Sequence, residues 1–199
     1  MRSLLVPLSL ALALAPSVRA SDPEPIGPGL HLKLIAPKET VTWDGGGKTP
    51  KELQKMLEEI EKAAKKNPFD GPMLPPAPKV DLVLRIVNGT RKPMDVWLGG
   101  DMNVVTLELK GPGVKALNFM GAFTTELRLA RKFTLEAGKH HDIPLERLSD
   151  GLRGMARSVY WTEPGEYTLS ATYQLSSGPE EKGKLLKSNT IKLKVQEKK

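Results

Sequence analysis

Hydrophobic positions recur with a period of two along most of the chain, the spacing of strands that bury one face. Leu30, Leu32 and Leu34 alternate with His31 and Lys33; Val80, Leu82, Leu84 and Ile86 alternate with Asp81, Val83 and Arg85; Val105, Leu107 and Leu109 alternate with Thr106 and Glu108. The same period runs through Phe123, Thr125, Leu127 and Leu129, then Phe133 and Leu135, then Ile143 and Leu145. Its longest stretch sets Tyr167, Leu169, Ala171, Tyr173 and Leu175 against Glu166, Thr168, Ser170, Thr172 and Gln174. A last strand sets Ile191, Leu193 and Val195 against Thr190, Lys192 and Lys194. Parallel strands buried on both faces read as continuous apolar runs, so this one-sided pattern predicts an all-β fold of antiparallel sheets, a sandwich or a barrel.

One segment breaks the period. Thr49 can cap a helix, Pro50 suits its first position, and Glu52 can complete a capping box. Leu53, Met56, Leu57, Ile60 and Ala63 then fall on one stripe, Lys62, Lys65 and Lys66 complement the C-terminal partial charge, and Asn67-Pro68 stops the helix. This predicts one inserted α-helix over about residues 50–66. Asp70 to Pro78, with four prolines, reads as a stiff connector back to the sheet.

The N-terminus has a different character. Met1-Arg2 precedes an apolar run from Leu4 to Ala15 and then Ser17-Val18-Arg19-Ala20, the layout of a secretory signal peptide cut after Ala20, so the product is expected to be secreted or periplasmic. The run is interrupted by Pro7 and is shorter than the roughly 20 apolar residues a membrane helix needs, so no transmembrane anchor is predicted. The expected organisation is a signal peptide at 1–20, a flexible tether at 21–29, one domain at 30–196 with a helical and Pro-rich insertion at 44–79, and a charged tail at 197–199.

With no Cys among 199 residues, a disulfide scaffold, a thiolate metal site, a cysteine nucleophile and a lipidated-cysteine anchor are excluded. The formal charge of +7 falls to about +5 once Arg2 and Arg19 leave with the signal peptide, and many lysines stand beside glutamates, as at Lys51-Glu52 and Glu61-Lys62. That is a mixed solvated surface, and no nucleic-acid partner is expected.

Few residues suggest chemistry. Asp44-Gly45-Gly46-Gly47-Lys48-Thr49 has the look of a phosphate loop, but the first glycine of that motif would fall at Thr42 and Pro50 lacks an N–H, so a loop with a helix cap is expected. His140-His141 would point to opposite faces of a strand, and His31 lies on a polar face, so no metal site is expected. Asn88-Gly89-Thr90 matches a glycosylation acceptor and also reads as a tight hairpin turn, the reading adopted here. No Gly-x-Ser-x-Gly elbow is present.

Trp161-Thr162-Glu163-Pro164-Gly165-Glu166-Tyr167-Thr168-Leu169 resembles the entry to the penultimate strand of an immunoglobulin-like domain, where a Pro-Gly turn precedes a tyrosine bonded back to the corner. Leu169 stands where antibody domains carry Cys. Leu84 to Asn88, Lys92 to Val96, Phe133 to Lys139 and the Pro-Gly-x-Tyr strand together resemble bacterial immunoglobulin-like domains of the intracellular proteinase inhibitor type. The resemblance spans roughly Val80 to Leu175 and implies an immunoglobulin-like antiparallel β-sandwich. It maps no inhibitory loop onto this chain.

The sequence therefore predicts an exported, monomeric, noncatalytic β-sandwich without cofactor or metal, acting on a protein or cell-envelope component. A carbohydrate-binding module, a secreted proteinase inhibitor and a small secreted hydrolase are the alternatives. The loops at Gly99–Asn103 and Ser149–Ser158 are the expected interaction surface, with Trp97, Asp101, Arg153, Arg157 and Tyr160 as its candidate residues.

Overall fold

A computed structural model describes residues 29–67, 73–120, 126–152 and 155–197. Strands β1 (Leu30–Ile35), β3 (Lys79–Asn88) and β8 (His140–Arg147) form one antiparallel sheet in the order β1-β3-β8. A second sheet is built on β11 (Gly165–Ser176). On one side β11 pairs with β5 (Val104–Lys110), and at Ser176 with β4 (Met94–Leu98), which in turn pairs with β7 (Arg131–Leu135). On the other side it pairs first with β13 (Ile191–Glu197) and then with β12 (Lys182–Lys187); β2 (Thr40–Trp43) joins β13 in parallel. The two sheets share one core, an all-β sandwich joined by one helix. Strand β11 carries it because its alternation is complete: Tyr167, Leu169, Ala171, Tyr173 and Leu175 are all buried. Burial of Leu169 and Leu175 contributes about 1.5–3 kcal/mol each.

A third sheet, in the order β6-β10-β9, consists of β6 (Val114–Met120), β9 (Ser149–Leu152) and β10 (Met155–Trp161). Val159 and Trp161 face the sandwich core, and Tyr160 faces the other way. On that outer face lies α1 (Pro50–Lys66), whose Leu53, Leu57 and Ile60 pack with Leu117 and Tyr160. Lys115 of β6 and Glu58 of the helix form an ion pair at 2.9 Å across this contact. The expected capping box is present, with Thr49 and Glu52 exchanging side-chain to backbone bonds. Among the described residues no helix is long and apolar enough to cross a membrane.

Side chains complete the ladders where strand partners run out. Leu107 of β5 turns its N–H and C=O away from β11, toward the third sheet. There Asp150 Oδ2 accepts the Leu107 N–H at 2.5 Å, and Arg157 Nη2 donates to the Leu107 carbonyl. Asp150 and Arg157 face each other across β9 and β10 and are joined by bonds of 2.9 and 2.6 Å, with the Asp150 side chain only 2% exposed. Hydrogen bonding to this carboxylate raises the Arg157 guanidinium further above its ordinary value. Between β12 and β13, the Ser188 hydroxyl accepts from the Ala171 N–H at 2.9 Å, and the Asn189 side chain bonds both the N–H and the C=O of Leu34.

Four expectations need correction. Ser149–Ser158 is not a loop: β9 and the start of β10 occupy its described part, because the Asp150–Arg157 pair zips them together. Asn88-Gly89 is not a hairpin turn. Strands β3 and β4 lie in different sheets, and the fully buried Asn88 amide ties the crossing, its Nδ2 donating to Lys92 and Leu135 carbonyls at 2.8 Å and its Oδ1 accepting the Thr90 N–H at 2.9 Å. Of the strand expected over Phe123–Leu129, residues 121–125 lie outside the described residues and 126–130 form no strand. Arg128 and Ala130 are held instead by Asp101 and Pro179, which leaves Leu127 and Leu129 about half exposed. Strands β2, β6 and β12 were not anticipated, and β2–β13 departs from the antiparallel rule.

The Asp150–Arg157 pair gives the first prediction. Removing Arg157 strands a carboxylate that is only 2% exposed, so Arg157→Ala should lower the unfolding free energy by about 3 kcal/mol in urea titration. A loss below about 1 kcal/mol, the range of surface pairs, would contradict this role.

Candidate functional site

A concavity lies where the helix, the third sheet and the end of the sandwich meet. It encloses about 490 Å³ and is lined by the Asp44–Lys48 loop, Leu53 and Met56 of α1, the Pro75–Lys79 segment, Arg147, Tyr160 and Trp161. Strand β2 delivers the chain to this point and ends at Trp43, whose indole lies over Gly45: a Cβ there would come 2.7 Å from Trp43 Cη2. Gly46 and Gly47 then turn the chain at positive φ (61° and 78°), which glycine adopts without a steric penalty.

The polar groups of the wall are committed to backbone. Asp44 Oδ1 accepts the Gly46 N–H at 2.9 Å, Arg147 Nη1 donates to the Ala77 carbonyl at 3.0 Å, and the Tyr160 hydroxyl donates to the Pro75 carbonyl at 2.7 Å. The first bond shapes the loop, and the other two fix the proline segment against β8 and β10. Leu53, Met56 and the prolines supply apolar wall, and Lys48 and Lys79 stand exposed at the rim. Behind the loop, Trp43 Nε1 is buried without an acceptor among the described residues.

The helix N-terminus beside the cleft does not cradle a phosphate. Glu52 already occupies it, accepting the Thr49 N–H at 2.8 Å and the Thr49 hydroxyl at 2.9 Å. The backbone bond and then the hydroxyl bond hold its carboxyl below the ordinary range. An incoming anion would have to displace this carboxylate.

The sequence-selected residues do not converge. Trp97 is half-buried and pairs with Ser176 at the junction of β4 and β11. Asp101 accepts the Arg128 N–H at 2.9 Å and so pins the neighbouring segment. Arg157 belongs to the joint on Leu107, and Arg153 lies outside the described residues. Tyr160 is 3% exposed beneath the helix, so its ring offers no stacking face to a sugar. His140 is 4.0 Å from Asp142, and His141 packs on Phe133 with ring centroids 5.3 Å apart. No group of three or more metal-capable side chains occurs among the described residues.

No protein-family model matches the chain, and no curated protein is significantly similar to it. The cleft is thus read from its own geometry. Lys79, Arg147 and the prolines of its wall escaped the sequence reading because a proline run signals a connector, and nothing in it says what the connector closes against. Trp43 and Tyr160 were visible only as aromatics out of step with, or outside, the period-two strands.

Tyrosine ionisation tests this packing. Tyr160, Tyr167 and Tyr173 are the three tyrosines, and burial raises the phenol pKa of each, to about 12 for Tyr167 and Tyr173. The neutral form is favoured in the fold, so the stabilisation is complete below the unfolded value of about 10 and is lost as pH rises from about 10 toward 12. Ultraviolet titration should therefore show little tyrosinate at about pH 10, where a free tyrosine is half ionised. Half-ionisation at that pH in folded protein would contradict the burial described.

Proposed function

We propose that the chain is an exported, noncatalytic immunoglobulin-like domain that holds a protein or cell-envelope component in the cleft beside α1. One observation carries the reading: the cleft's wall polar groups are spent on backbone bonds that shape it, while its apolar wall and its rim lysines face outward. Such a surface recognises by shape, apolar contact and charge, and favours an anionic group carried on an apolar body.

The strand order supports the immunoglobulin-like part. Strands β1, β3 and β8 oppose β13, β11 and β4 with β5, and the chain crosses early so that β2 runs parallel to the last strand. The Tyr167 hydroxyl lies 2.6 Å from the Glu163 carbonyl, four residues upstream, and 2.7 Å from the Pro112 carbonyl, in keeping with the corner tyrosine of such domains. Export rests on the N-terminal pattern of Met1 to Ala20.

The test is affinity capture. Exported protein, immobilised and exposed to envelope and secreted extracts, should retain one component stoichiometrically, and Lys48→Glu/Lys79→Glu should retain about a tenth as much or less. A retained proteinase would make the domain an inhibitor. Equal retention by both proteins, or none by either, contradicts the proposal.

A further inference from the structure

The register of β3 against β8 sets two like charges side by side at the cleft. Leu82 opposes Leu145, and a regular ladder continued from there would bring Val80 opposite Arg147; a bulge between Lys79 and Leu82 puts Lys79 there instead. Residues directly opposite in an antiparallel pair share a face, with Cβ atoms about 5 Å apart. The bulge thus turns Lys79 to the side of Arg147, and both line the cleft.

Like charges in directly opposite positions destabilise a sheet unless a counter-charge meets them. Among the described residues neither cation forms an ion pair, and both stand exposed. Arg147 spends Nη1 on the Ala77 carbonyl, which leaves the rest of its fork for a ligand. Asp44, the carboxylate in the cleft wall, accepts the Gly46 N–H, and Lys48 adds a further cation.

A carboxylate would neutralise one of the paired cations. A phosphate monoester carries about two negative charges near neutral pH and three acceptor oxygens, enough to bridge an ammonium and a guanidinium. Beside the pair the wall is apolar, with Leu53, Pro75, Pro76 and the adaptable thioether of Met56. The volume, about 490 Å³, suits one small molecule. Resting on the reading of the cleft as the binding site, we infer that its ligand is an amphiphile with a phosphate monoester head, a lipid phosphate of the cell envelope. The phosphate bridges Lys79 and Arg147, and the chain lies along Leu53 and Met56.

The probe is octyl phosphate, titrated into the exported protein and followed by NMR. It should shift the amides of Lys79 and Arg147 and the methyl of Met56. Lys79→Glu should weaken binding by about tenfold or more, whereas Lys184→Glu, on β12, should leave it unchanged. Inorganic phosphate and octyl glucoside, the head and the chain apart, should each bind at least about tenfold more weakly, and octanoate should also bind less tightly than octyl phosphate. The inference is overturned by no binding at about 1 mM, by shifts that spare those three residues, by equal binding of any of the three comparison compounds, or by undiminished binding to Lys79→Glu. If the capture experiment retains a component that Lys48→Glu/Lys79→Glu loses while octyl phosphate fails to bind, the ligand class falls and the cleft reading stands.

Discussion

The third sheet and everything resting on it depend on the clasp that Asp150 and Arg157 make around the Leu107 peptide. An outer edge of β5 buried without partners would cost the desolvation of one N–H and one C=O, about 1–3 kcal/mol for each group. The ion pair meets both, and because its carboxylate is almost fully desolvated, Asp150 is not tolerable without Arg157. The geometry works because the two side chains sit opposite each other on β9 and β10, so that a carboxylate and a guanidinium together present the donor and acceptor of a missing strand.

From this joint the cleft follows by layers. The clasp sets β10 against the sandwich, which turns Val159 and Trp161 into the core and leaves Tyr160 on the far face. That exposed apolar face demands cover, and the amphipathic stripe of α1 supplies it, with Leu57 fully buried. The helix brings its capped N-terminus and the glycine loop with it, and Tyr160 fixes the proline segment through Pro75. The cleft is the space these four pieces leave between them.

Much of this architecture is legible in the sequence, and the illegible parts share a cause. The period-two strands other than Phe123–Leu129, and the helix with its cap, are local patterns that appear at the expected residues. Asp150 and Arg157, set among glycines, read as a solvated loop because their common partner, Leu107, is more than forty residues away. Asn88 read as a turn residue because only the folded chain shows its amide reaching Leu135. The candidate site suffered most: selecting Tyr160, Arg157 and Asp101 as surface groups treated polar tips as free when each is spent on a backbone partner.

The central claim is that the third sheet and α1 form one unit, joined to the sandwich by the clasp and by Val159 and Trp161 in its core. Native-state hydrogen exchange under increasing denaturant measures this directly, because each cooperative unit opens with its own free energy. Amides of α1 and β10 should open together, at a lower free energy than those of β11. Opening of α1 and β10 only with β11 in global unfolding, or opening of the helix independently of β10, would contradict it.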